Sequence, residues 1–265
     1  MTALERPIGV FDSGLGGLTV MRALIDLLPY DDLVYFGDTA RFPYGPKAAA
    51  DVRRYSAQIV DVLLARDARM IVVACNSAAS VAMDDLRART DVPIIGVIEP
   101  GLRAGFRATQ SGRVGVIGTV GTISSGAYQR AAAELAPGAE LACAACPGFV
   151  EFVEGGDVDS DQVHVLAQRL LAPVIAAKVD TLVLGCTHYP LLARTIADVM
   201  GPDVVLVSSA EETAFEVRAL LGGERLIARS ARHEFFTSGD VDTFATLGSR
   251  FLGPEVVHVE AWKWN

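Results

Sequence analysis

The chain has 265 residues, 51% hydrophobic and 21% charged, spread without low-complexity tracts, which describes a fully folded protein with a substantial core. A formal net charge of −9 argues against a general phosphate-backbone binder, and no segment reaches the roughly 18 consecutive apolar residues of a membrane span. The opening residues carry no apolar signal core, so the expected location is the cytoplasm, where the four cysteines stay reduced.

In chain order, "PIGVF" (7–11) reads as a buried strand, and "DSGLGG" (12–17) follows as a turn that offers Asp12 and Ser13. "LTVMRALIDLL" (18–28) has apolar residues at 18, 21, 24, 25 and 28, one face of a helix. A second strand, "DLVYFG" (32–37), runs into "DTARFPYG" (38–45) with Asp38, Tyr44 and Gly45. "DVRRYSAQIVDVLLAR" (51–66) again has helical spacing. "RMIVVA" (69–74) ends at Cys75-Asn76-Ser77, and "VPIIGVI" (92–98) is a fourth strand. "IEPGLRAG" (98–105), rich in glycine with a proline, reads as a connection. "RVGVIG" (113–118) continues into "TVG" as a packed strand and turn. Cys143 and Cys146 in "LACAACPGF" form a C-x-x-C that no second pair completes into a zinc site, so they read as structural. "DTLVLG" (180–185) ends at Cys186-Thr187-His188, "DVVLV" (203–207) reads as a further buried strand, and "SSAEETA" (208–214) is a second connection, after which the chain returns to the first unit.

Strands alternating with helices predict an α/β protein with mainly parallel sheets. The sequence is also written twice. "IGVFDSGLGGLTV" matches "VGVIGTVGTISSG" at an offset of 106, and "ARMIVVACNSAAS" matches "VDTLVLGCTHYPL" at 111. This predicts two pseudo-symmetric α/β domains, residues 1–97 with 208–265 and residues 98–207, with the active site in the cleft between them. Ligands of parallel sheets bind beyond the carboxyl ends of the strands, where both Cys75 and Cys186 fall.

A lone buried cysteine is most often inert. Here each thiol precedes polar residues at the predicted start of a helix, whose N–H groups stabilise a thiolate and bind carboxylates. No G-x-G-x-x-G dinucleotide fingerprint is present, and no lysine lies in the motif loops for a Schiff base. Two opposed thiols without a cofactor suit removal of a proton from one face of a carbon and delivery to the other, whereas nucleophilic catalysis needs only one.

The ordered motifs "GVFDSGLGGLTV", "YFGDTARFPYG", "VVACNSAAS", "GVIGT" and "VLGCTHYPLL" resemble those of the cofactor-independent glutamate racemases of the aspartate/glutamate racemase superfamily. The resemblance implies that Cys75 and Cys186 are the catalytic acid/bases, acting on D- and L-glutamate respectively, assisted by Asp12 and His188. It implies substrate binding by Asp12, Ser13, Tyr44, Gly45, Asn76, Ser77, Thr187 and His188, with no cofactor and no metal; Glu154 matches a further acidic residue more weakly. It also implies a homodimer and D-glutamate supply for peptidoglycan, with a cell-wall precursor as activator or a secondary association with DNA gyrase in some members. Ser77 departs from the usual threonine, keeping the hydroxyl and losing a methyl. The alternatives are an aspartate or hydantoin racemase on the same fold, and a non-enzymatic α/β ligand-binding protein.

Overall fold

The computed structural model describes residues 6–222, 230–256 and 258–264. Its strands are β1 (Ile8–Asp12), β2 (Leu33–Gly37), β3 (Met70–Val73), β4 (Ile94–Gly96), β5 (Arg113–Gly118), β6 (Glu140–Ala145), β7 (Thr181–Gly185), β8 (Val205–Ser208), β9 (His233–Thr237) and β10 (Val259–Ala261). The first helices are α1 (Leu18–Leu27), α2 (Ala49–Leu64), α3 (Asn76–Arg87), α4 (Ile98–Ala108), α5 (Val120–Ser124) and α6 (Ala127–Leu135). After them come α7 (Phe149–Glu154), α8 (Asp161–Ala176), α9 (Ala193–Met200), α10 (Ala210–Leu220) and α11 (Val241–Leu252).

The strands form two parallel sheets, ordered β10-β9-β2-β1-β3-β4 and β6-β5-β7-β8. Strands β1, β2, β3 and β7 are buried along their whole length, as expected of β-branched runs covered by helices on both faces. The internal repeat is visible in the pairing itself. β1 lies between β2 and β3 as β5 lies between β6 and β7, and β4 and β8 take the matching outer places. Phe11 pairs with Val73 and Ile117 with Leu184; Ile117 follows Phe11 by 106 residues and Leu184 follows Val73 by 111.

Three strands escape the sequence reading. β6 is built largely from small residues, "ELACAA", with little β propensity, while β9 and β10 each carry a glutamate and β10 has only three residues. β9 and β10 add to the first sheet beyond β2, so the chain returns to that sheet after completing the second.

Both stretches read as connections lie where the chain passes between the two sheets, and they do so largely as helix. Residues 98–105 open α4, where Pro100 sits in the first turn and needs no N–H partner. The glycines are there for close packing: a Cβ on Gly105 would lie 2.7 Å from Val183 Cγ2, and one on Gly101 2.9 Å from Ser209 Cβ. Residues 208–214 finish β8 and begin α10, which packs on α4 and α1. One apolar core therefore runs from the first sheet to Val114, Val116 and Val183 of the second.

Candidate active site

The carboxyl ends of β1, β2, β3, β5 and β7 converge on one narrow cleft. Its walls hold Ser13, Tyr44, Gly45, Cys75, Asn76, Ser77, Cys186, Thr187 and His188, all singled out in the sequence, together with Phe42, Pro43, Thr119 and Val150. The two thiols thus face one space from matching positions of two sheets. Asp12 ends β1 but lies behind the wall, 1% exposed; Asp38 is likewise fully buried behind it.

Cys75 is the N-cap of α3. Its thiol lies 3.6 Å from Ser13 Oγ, to which it donates. Burial, with the Asp12 carboxylate adding to it, pushes this thiol up to about 12, while N–H groups of Ala78 and Ser13 pull the other way. Asp12 itself is raised by burial, against the opposing charge of His188 and hydrogen bonds from Gly14 N at 2.8 Å and Thr187 Oγ1 at 3.2 Å.

Cys186 differs from the expectation of a helix start, because a four-residue 3-10 turn (Tyr189–Leu192) follows it, with His188 as its N-cap. The histidine takes over the electrostatic role. Its Nδ1 is 4.0 Å from Cys186 Sγ, and its Nε2 is 2.9 Å from Glu154 Oε1, at the end of α7. Burial alone lowers its pKa, but the bonds to Cys186 and Glu154, with the charges of Cys186 and Asp12, outweigh burial and raise it to about 10. The contacts with Cys186 and Glu154 thus favour the protonated, cationic ring. The rings of Phe42 and Phe251 pack on it at 5.9 and 5.7 Å.

The rest of the cleft is a donor wall. Asn76 Oδ1 accepts from the Tyr128 hydroxyl of α6 at 2.7 Å, while its Nδ2 is buried without a partner among the described residues. That leaves one N–H₂ group for a ligand, since a buried donor left unmade is costly. Ser77 Oγ lies 3.0 Å from Thr119 Oγ1 and 3.2 Å from Thr122 Oγ1, and the two threonine hydroxyls are 2.9 Å apart. The Tyr44 hydroxyl donates to Asp38, so a ligand meets the tyrosine through its ring or backbone. Thr119 falls in the stretch that reads as a strand and turn, yet it stands 106 residues after Ser13, at the offset of the internal repeat. Cys143 and Cys146 lie in and just after β6, and burial raises them to about 11 and about 12, the latter with a contribution from Cys186. That is the opposite of a reactive low-pKa pair.

The sequence model of the Asp/Glu/Hydantoin racemase family matches residues 8–216. A glutamate racemase of Acidothermus cellulolyticus is 51% identical over 257 residues, 96% of this chain and 97% of that one. Among solved structures, a glutamate racemase isoform from Bacillus anthracis superposes with a TM-score of 0.93 at 40% identity, covering 98% of both chains. The glutamate racemase of Francisella tularensis, solved in complex with D-glutamate, gives 0.92 at 33% identity, again over 98% of both.

Proposed function

The chain belongs to the Asp/Glu/Hydantoin racemase family, and from that premise we propose that it interconverts L- and D-glutamate without a cofactor, using Cys75 and Cys186 as opposed acid and base. The observation that carries this reading is the placing of both thiols on one cavity from matching positions of two sheets.

Glutamate brings two carboxylates and an ammonium group into an acidic protein, so the wall must supply local donors. Asn76 Nδ2, the hydroxyls of Ser13, Ser77 and Thr119, and N–H groups at the start of α3 serve the carboxylates, while the Thr187 hydroxyl is committed to Asp12. Asp12 balances the ammonium from behind Thr187. The ammonium also offsets the burial that keeps Cys75 protonated, so substrate itself brings that thiol toward ionisation.

From L-glutamate, Cys186 takes the α-proton while the Cys75 thiol delivers its own to the other face; from D-glutamate the roles exchange. His188 keeps a positive charge beside Cys186 throughout, and Glu154 holds the imidazolium in place. The division into residues 1–97 with 208–265 and residues 98–207, a homodimer, and supply of D-glutamate to peptidoglycan in the cytoplasm belong to the same proposal. No described helix is long and apolar enough to cross a membrane.

The test is incubation of the protein with each glutamate enantiomer in D₂O, without pyridoxal phosphate or metal, followed by proton NMR and circular dichroism. Cα deuteration and decay of optical activity are expected from both sides. An absence of Cα exchange, or a need for added cofactor, would overturn the reading.

A further inference from the structure

Asp38 heads the loop whose residues 42–45 line the cavity, yet its own carboxylate lies outside that cavity. Four donors converge on it. From its own loop come Arg41 Nε at 2.7 Å and the Tyr44 hydroxyl; from 200 and 226 residues away come Ser238 Oγ at 2.7 Å and the Trp264 indole N–H at 3.0 Å. A buried carboxylate with this many donors is fixed in place and fixes each donor in turn.

The Trp264 segment grips the loop a second time. The Arg41 guanidinium lies between the Trp264 ring, 3.8 Å from its centroid, and the Tyr55 ring at 4.1 Å, and it donates to Gln58 Oε1 at 2.5 Å. Trp264 in turn rests on Phe36 of β2, with ring centroids 5.4 Å apart. The far end of the loop is tied to the second sheet's side by Gly121 N donating to Gly45 O at 2.9 Å.

We propose that Trp264 and Ser238 are positioning residues for substrate binding, fixing through Asp38 the Tyr44 ring and the cavity wall at residues 42–45. The inference rests on glutamate binding in this cavity. A wall fixed in advance binds ligand without an ordering cost, so loosening it weakens binding and leaves the two thiols untouched.

The variants are Trp264→Phe, which keeps a ring over Arg41 and removes the N–H, Ser238→Ala, and Asp38→Asn. Each is assayed for racemisation from both enantiomers and, without substrate, for amide hydrogen exchange over residues 39–47. Trp264→Phe and Ser238→Ala should raise KM about fivefold and Asp38→Asn about tenfold, equally for both enantiomers, with kcat within about twofold. Exchange over residues 39–47 should quicken in all three. Unchanged KM and exchange in both Trp264→Phe and Ser238→Ala, or a loss of kcat at constant KM, would overturn the proposal. A wild-type protein that fails to racemise glutamate would instead remove the functional reading, and the exchange measurement alone would then decide whether the loop is strapped.

Discussion

The surroundings of Cys75 and of Cys186 share a backbone address and differ in how they handle charge. Cys75 caps a helix of 12 residues and has a serine hydroxyl beside it and a buried carboxylate nearby. Cys186 precedes a turn of four residues and has an imidazolium, backed by Glu154, instead. A helix N-terminus offers roughly half a positive charge, whereas His188 offers a whole one. Two enantiomers have equal free energy, so the equilibrium constant of racemisation is one and kcat/KM must be the same in both directions. The inequality of the two thiols can therefore appear in kcat and KM separately but never in their ratio.

The largest effect should come from removing either thiol. Cys75→Ser and Cys186→Ser should each lose at least about a thousandfold in racemisation, because a hydroxyl is too weak an acid to serve as the base. A substrate analogue with a good leaving group on its β-carbon separates the two. Removal of the α-proton with expulsion of that group needs only one base, so Cys186→Ser should still eliminate from the D-configured analogue and Cys75→Ser from the L-configured one. If both variants retain the same enantiomer, the two sides are not opposed.

Next comes His188→Asn, which removes the full charge and should lower kcat/KM about a hundredfold, by the same factor from L- and from D-glutamate. The same residue contributes to stability with a definite sign. Its folded pKa of about 10 exceeds the ordinary 6.5, so its contribution is complete below about pH 6.5 and is lost as pH rises through 10. Cys75, raised from 9.0 to about 12, continues the decline over that higher range. Urea unfolding at pH 6.5, 8 and 10 should show the first decline in the wild type and a flatter profile in His188→Asn.

How much of this contrast was legible beforehand differs between its parts. The apolar runs that end at Cys75 and Cys186 identify buried strands, and the two internal offsets relate each to its counterpart in the other half. His188 is legible because it is local to Cys186. The Tyr128–Asn76 bond, by contrast, spans 52 residues, and the Ser238 and Trp264 bonds to Asp38 span 200 and 226. No periodicity or turn signal reports such pairs, because they arise only when separately formed elements pack. The helical form of the α4 connection is not legible, because its glycines serve close helix–sheet approach and are poor helix formers by propensity.

Tyr128→Phe tests the long-range part and should have a moderate effect. Without the phenol donor, the Asn76 amide loses its fixed orientation, at a cost of about 1 kcal/mol, and KM should rise about fivefold with kcat nearly unchanged. An unaltered KM would show that Asn76 is held by something else. The smallest effect belongs to Ser77→Thr, which keeps the hydroxyl bonded to Thr119 and Thr122 and adds a methyl group. Kinetic constants within about twofold of wild type are expected, since the bonding group survives; a larger loss would mean that the cleft has no room for that methyl.

The return of β9 and β10 to the first sheet sets an order of assembly during synthesis. All four strands of the second sheet lie within one continuous stretch, so that sheet can close as soon as β8 has left the ribosome. The first sheet cannot close then, because the outer edge of β2 waits for His233–Thr237, which is made last but for β10. For that interval the nascent chain presents a row of unpaired backbone groups from an apolar strand, the kind of edge that recruits other chains. Slowed translation between residues 208 and 233 would lengthen the exposure, so aggregation and chaperone demand should rise as elongation slows there.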